Sequence, residues 1–304
     1  MRIVVHGQQA FGKAVLEALL ERNENVVGVF CAPDREGRPT DPLKELALEK
    51  GLPVHQPTSW KTDEALALMR SFDPDLCVMA YVTLLVPQRV LDAPRRGTFQ
   101  YHPSLLPKHR GPSSINWPII QGETRTGITI FWPDEALDEG PILLQKEVAI
   151  GPHDTLGSLY FNHLFPMGVD AMLEAVDLVR DGKAPRIAQD ESQATYESWC
   201  RKADAEIDWS KPAAEVYNLI RGTDPQPGAW TVIGGTEAQI YDATPSDRTG
   251  AAGSILAVTE HGFEVAAADG SIVVKRVRPK GAKKMEAGEF AKESGLQEGT
   301  RLGA

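Results

Sequence analysis

Gln100 and His102 stand two residues apart in the run Gly97-Thr98-Phe99-Gln100-Tyr101-His102, which stops at Pro103. On an extended strand that spacing sends both side chains to one face, so an amide and an imidazole leave the strand end together. Further along, Asp134, Glu135, Asp138 and Glu139 crowd a loop between the strand-like TGITIFW and Gly140. A histidine at one strand end and a carboxylate near a neighbouring one form a pair in which the carboxylate favours the imidazolium and fixes its orientation. Such a pair suits polarising a carbonyl and stabilising a tetrahedral oxyanion. The competing reading makes His102 an ordinary strand-end histidine and the acids a solvated loop. No Gly-x-Ser-x-Gly elbow or His-Glu-x-x-His motif occurs, so nucleophilic and zinc chemistry recede and no metal is expected.

Three other places carry polar groups of interest. Gly7 and Gly12 flank Gln8 and Gln9, but the middle glycine of a G-x-G-x-x-G fingerprint is missing, which argues against a nicotinamide cofactor. That loop either holds an anion at a helix N-terminus or is a plain turn. His6 lies beside it, facing the cleft or serving the strand end. His109 and Arg110 hold either a substrate anion or their own loop, and Arg110 is the better clamp because a guanidinium grips an anion bidentately.

The surrounding elements alternate. RIVVHG, NVVGVFCA, LPVHQP, PDLCVMAY and GTFQYH read as strands, and helical segments such as AFGKAVLEALLER separate the first of them. That order implies a parallel sheet with helices on both faces, whose ligands sit beyond the carboxyl ends of the strands. Residue His102 marks one such end. Near residue 200 the chain turns polar and turn-rich, and after AAEVYNLIRG come AWTVIGG, AQIYDA, GSILAVTE, GFEVAAAD and SIVVKRVR. Short strands broken by Gly-Gly, His-Gly and Asp-Gly indicate a small antiparallel barrel or sandwich. The expected organisation is a unit over 1–189, a linker over 190–205 and a second unit over 206–304.

Bulk properties limit the possibilities. The 304 residues suffice for two domains, and 42% hydrophobic with 24% charged residues is an ordinary globular composition. A net charge of -10 argues against a dedicated nucleic-acid binder while leaving room for a local basic patch. Cys31, Cys77 and Cys200 lack metal-ligand spacing and suit a reducing compartment. The N-terminus enters a strand at once, without the pattern of a signal peptide, and no apolar run approaches the roughly 18 residues of a membrane span. A cytoplasmic location without membrane partners is the expectation.

YHPSLLPKHRGPSSINW, LDEGPILLQ and IRGTDPQPGAW together resemble the folate-dependent formyltransferase family, and the resemblance covers nearly the whole chain. It implies a doubly wound, Rossmann-like α/β catalytic domain followed by an OB-like β-barrel domain. It implies 10-formyltetrahydrofolate as formyl donor, no metal, and a catalytic histidine followed by a Ser-Leu-Leu-Pro loop, here His102 and Ser104, Leu105, Leu106 and Pro107. The family's aspartate lies in a Leu-Asp-x-Gly turn, here Asp138. The folate would lie against the stretch containing Val78, Tyr81, Leu84 and Leu85, and against Asp134, Glu135 and Ala136. Gly7, Gln8, Gln9 and Arg110 would face the acceptor or an anion.

One departure bears on chemistry. Most members of that family carry Asn where Gln100 stands; Gln offers the same amide one methylene further out. A displaced donor loses much of its hold on an oxyanion. The hydrolase domain of 10-formyltetrahydrofolate dehydrogenases also departs from Asn here, and shares YHPSLLP, HRG, INW, LLQKE and GKAPR. That branch implies removal of the formyl group to water. The methionyl-tRNA formyltransferase branch resembles the chain in length, in IDWSKPA and in its C-terminal stretch, and implies an aminoacyl amine as acceptor. For tRNA, VKRVRPKGAKK is the one basic stretch, with a solvated strand and turn as the alternative. An amino-sugar nucleotide acceptor and a non-catalytic folate-binding protein are the remaining readings.

Overall fold

The run Ile3-Val4-Val5 is fully buried because its strand has neighbours on both sides and layers on both faces. In the computed structural model, which describes residues 1–303, this strand is β1 (Arg2–Gly7), an inner strand of a seven-stranded sheet. The other members are β2 (Asn25–Phe30), β3 (Val54–His55), β4 (Leu76–Ala80), β5 (Thr98–His102), β6 (Arg125–Phe131) and β7 (Ile142–Ala149), in the order β3-β2-β1-β4-β5-β6-β7. β1 pairs in parallel with β2 and β4, and the order reverses between them, which is where open α/β sheets form their crevice. Gly7 is required at this point: a Cβ there would stand 2.3 Å from the Ala80 carbonyl oxygen.

The expected all-parallel sheet is corrected at β6. It runs antiparallel to β5, with Gln100 opposite Phe131 and His102 opposite Thr129. The 103–124 connection carries only one short helix, Asn116–Ile120, and leaves and re-enters the sheet at the same end. The sheet is therefore mixed.

Helix Gln9–Glu21 presents Phe11, Val15, Leu16 and Leu19 to the interior, a spacing of one helical face. Asp41 caps helix Pro42–Glu49, and Thr62 caps helix Asp63–Ser71 through the Ala65 N–H. One core cluster gathers Val4, Phe30, Trp60, Met69, Cys77, Met79 and Val90. Polar residues 187–196 are tied to the same unit: Ile187 bridges Ile142, and Tyr196 bridges Arg110.

The chain divides into two compact units, 1–111 with 127–148 and 162–196, and 112–126 with 149–161 and 197–304. The second holds an antiparallel sheet of β8 (Trp230–Ile233), β9 (Thr236–Ser246), β10 (Ile255–Thr259), β11 (Gly262–Ala266) and β12 (Ser271–Pro279) in the order β10-β11-β12-β9-β8. A short β13 (Met285–Glu286) pairs with β12. Alternate residues Ile240, Val265, Ile272 and Val274 join Trp209, Ile220, Phe263 and Phe290 in its core. Among the described residues no helix is long and apolar enough to cross a membrane.

Candidate functional site

β5 delivers His102 to its carboxyl end, and the side chain is 6% exposed. Its Nε2 lies 2.9 Å from the His109 carbonyl oxygen. A carbonyl only accepts, so Nε2 carries a proton and Nδ1 is the ring nitrogen that faces Asp138. That Nδ1 stands 3.6 Å from Asp138 Oδ2, also 6% exposed. The gap is longer than a hydrogen bond but short for two opposite charges, so a proton on Nδ1 would create an imidazolium balanced by Asp138. Gln100 leaves the same strand face as His102 and is half-buried.

The loop after His102 is built from the strand beside it. Thr129, opposite His102 on β6, donates its hydroxyl to the Ser104 carbonyl at 2.7 Å. The Thr129 hydroxyl oxygen in turn accepts from Leu106 N–H at 3.1 Å and Gln145 Nε2 at 2.9 Å, which uses all its hydrogen-bonding capacity. Ser104 is fully buried and donates to the Lys108 carbonyl, and Leu106 is buried as well. Both act as struts, while Leu105 and Pro107 are half-buried. His109, at φ 56°, is fixed by Thr195, whose hydroxyl accepts its N–H at 2.8 Å.

Asp138 also adopts the left-handed conformation, at φ 60°. Its Oδ2 accepts the Gly111 N–H at 2.9 Å. The turn closes at Gly140, where a Cβ would stand 1.8 Å from the Trp132 carbonyl oxygen, so only glycine fits. Gln9 and Tyr81 join His109 as non-glycine residues at positive φ just beyond β1, β4 and β5. Bulky residues adopt this conformation at a cost of about 1–3 kcal/mol each, and such strain gathers at working sites.

The remaining expected residues fall into two groups. Tyr81, Leu85 and Leu137 are large apolar side chains left 45%, 60% and 47% exposed, and Leu84 is half-buried against the core cluster. Val78 is fully buried in β4, between β1 and β5, so its side chain is closed to a ligand. Asp134 closes a tight turn by accepting from Ala136 N–H, and Glu135 and Ala136 are exposed.

The second group already has partners. Gln9 N–H donates to both oxygens of Asp41 at 2.9 Å, so the chain's own carboxylate sits where an outside anion was expected. Gln8 donates to Thr83. His6 is buried against Trp60 and Phe30, and that burial pushes its imidazole down to about 3. Arg110, 5% exposed, spends its guanidinium on Gln189 and on both oxygens of Glu191, which raises its own pKa and holds the Glu191 carboxyl below its usual range.

Thr129, Gln145, Gln189, Glu191 and Thr195 were not among the expected residues. Thr129 and Gln145 sit in strand-like sequence, and the other three in an aperiodic polar stretch, so no local pattern separates them from solvated side chains.

Comparison with known proteins places this geometry in context. Residues 1–176 match the family described as formyl transferase, and residues 200–295 match the formyl transferase C-terminal domain. A methionyl-tRNA formyltransferase of Trichlorobacter lovleyi is 39% identical over 306 residues, covering 99% of this chain and 96% of that protein. A human mitochondrial 10-formyltetrahydrofolate dehydrogenase is 43% identical over 249 residues, or 80% of this chain. The chain spans about a quarter to a third of the length of such dehydrogenases, 27% for the human protein and 31% for the mouse one. Among solved structures, HypX from Aquifex aeolicus in complex with tetrahydrofolic acid superposes with a TM-score of 0.69 at 21% identity, covering 97% of this chain and 47% of that one.

Proposed function

The chain belongs to the formyl transferase family, and from that premise we propose that it moves a formyl group from 10-formyltetrahydrofolate to the amine of methionyl-tRNA. The observation that carries the chemistry is the approach of His102 to Asp138 in a buried setting, both held by the 109–111 loop. The methionyl-tRNA formyltransferase match along essentially the full length of both proteins supports this acceptor over water.

In this reading the amine nitrogen attacks the formyl carbon, and the carbonyl π pair moves to oxygen. The His102 imidazolium stabilises that oxyanion, with Asp138 balancing its charge and taking the proton released by the amine. Collapse re-forms the C=O bond and breaks the bond to N10 of the folate, which leaves with a proton. One N–C bond forms, one breaks, and one proton passes from the amine to N10.

Tyr81, Leu85 and Leu137 offer apolar surface to the folate, with the Asp134–Ala136 backbone beside them. Ser104 to Pro107 shape the formyl end through Leu105 and Pro107. Gly7, Gln8 and Gln9 border the acceptor side, and Arg110 serves it by holding the loop. We read the antiparallel unit as OB-like and as the tRNA-facing part. A groove of about 350 Å³ there is lined by Lys202, Glu237, Gln239, Arg278 and Lys280 among others; Glu237 already pairs with Lys202, which leaves Arg278 and Lys280 for phosphate contacts.

Gln100 favours a second reading, hydrolysis. Its amide reaches one methylene further than Asn, which alters the space where an amine would approach. The test is tetrahydrofolate release from 10-formyltetrahydrofolate, with and without methionyl-tRNA. Release that depends on the tRNA and yields formyl-methionyl-tRNA is expected. Equal release without tRNA would establish the hydrolytic reading instead, and no release in either case would overturn both.

A further inference from the structure

Gln189 touches neither His102 nor the carboxylate of Asp138, yet its amide holds the turn that presents Asp138. Nε2 donates to the carbonyl oxygens of Asp138 and Gly140, each at 2.8 Å. Oε1 accepts from Arg110 Nη2 at 2.8 Å and Nε at 3.2 Å. Arginine only donates, so the amide oxygen must face it and the NH2 group must face the two carbonyls. All four hydrogen-bonding positions of the amide are used.

Arg110 is itself fixed. Its Nη1 and Nη2 reach the two oxygens of Glu191 at 2.9 and 2.6 Å, a bidentate pair. The line Glu191–Arg110–Gln189 therefore ends on two carbonyls that flank Glu139. Immediately before the first of them the backbone is strained, because Asp138 lies at φ 60°. Gly140 already rests against Trp132, which blocks the turn from that side. The Asp138 carboxylate is held in turn by the Gly111 N–H, which donates to Oδ2.

We infer that Gln189, clamped by Arg110 and Glu191, is a positioning residue that sets where Asp138 stands relative to His102. This role rests on the mechanism proposed above, in which Asp138 is catalytic. Displacing a catalytic group by about 1 Å costs on the order of a hundredfold in rate, so loss of this hold falls on turnover.

The test compares Gln189→Glu and Gln189→Ala with the parent, using the full chain, 10-formyltetrahydrofolate and methionyl-tRNA. Gln189→Glu keeps the shape and the Arg110 contact but turns a carboxylate oxygen on the two carbonyls. Gln189→Ala removes the hold without repulsion. Both are expected to lower kcat by roughly tenfold to a hundredfold, to leave KM for the folate within about threefold, and to melt near the parent. In the Asp138→Asn background the same changes should cost less than about threefold of the residual rate, since a residue acting through Asp138 has little left to affect. Parental kcat in both Gln189 variants would overturn the role. So would an equal loss in both backgrounds, which marks general packing. Parental turnover in Asp138→Asn alone would overturn the catalytic reading itself, and the positioning role with it.

Discussion

The backbone N–H of Gly111 donates to Asp138 Oδ2 over 2.9 Å, two residues beyond the His109 carbonyl that receives the His102 ring. One three-residue stretch thus holds both members of the pair, and moving it would disturb an imidazole and a carboxylate together.

Removing either member should stop formyl transfer. His102→Ala and Asp138→Asn are expected to lower tetrahydrofolate release by about 10²–10⁴-fold, the range for a positioned acid or base. Circular dichroism should show the parental fold. A His102→Ala enzyme with parental rate would exclude the mechanism.

Gln100→Asn shortens the amide by one methylene on the same strand face. We expect the ratio of methionyl-tRNA-dependent to acceptor-independent release to rise severalfold. Assaying both reactions on one preparation checks this, and an unchanged ratio means the amide does not choose the acceptor.

His6 makes stability depend on pH. Its imidazole is pushed down to about 3 in the folded chain from 6.5. Between those values the unfolded chain binds a proton that the folded chain refuses, so stability is complete above 6.5 and falls as pH drops toward 3. The slope is at most about 1.4 kcal/mol per pH unit. Urea titrations at pH 7.5 and pH 5.5 should show the parent losing about 1 kcal/mol more than His6→Leu. Parallel losses in the two proteins would contradict the assignment.

Gly140→Ala forces a Cβ onto the Trp132 carbonyl oxygen. The expected cost is about 1–3 kcal/mol, typical of overpacking, with a loss of turnover because the Asp138 turn must shift. An unchanged denaturation midpoint would show that the turn relaxes freely.

Legibility in the sequence follows the range of the forces involved. The apolar run of β1 announces a strand buried on both faces, and the two-residue spacing of Gln100 and His102 announces a shared face. The direction of β6 does not show, because Thr126 to Phe131 are buried throughout and an apolar run reads the same in either direction. Asp138 is one acid among four in its loop, and only the motif resemblance singles it out; what distinguishes it physically is φ 60° and a partner in Gly111. Arg110 shows the opposite difficulty. Its fork suits an external anion, but Glu191, 81 residues away in sequence, meets it first.

The alternation of segments between the two units has a practical consequence for anyone who would treat the N-terminal half as a cassette. Stretches 112–126 and 149–161 belong with 197–304. Asn116 gives its amide to the Gly222 and Gln226 carbonyls, and Arg221 reaches back to the carbonyls of Gly151 and Asp154. A single cut near residue 196 would therefore strip two internal stretches of their hydrogen-bond acceptors and donors and uncover apolar surface. An excised fragment of that kind calls for redesign at both stretches, and a graft of the N-terminal half onto another protein must carry replacements for what Gly222, Gln226 and Arg221 supply.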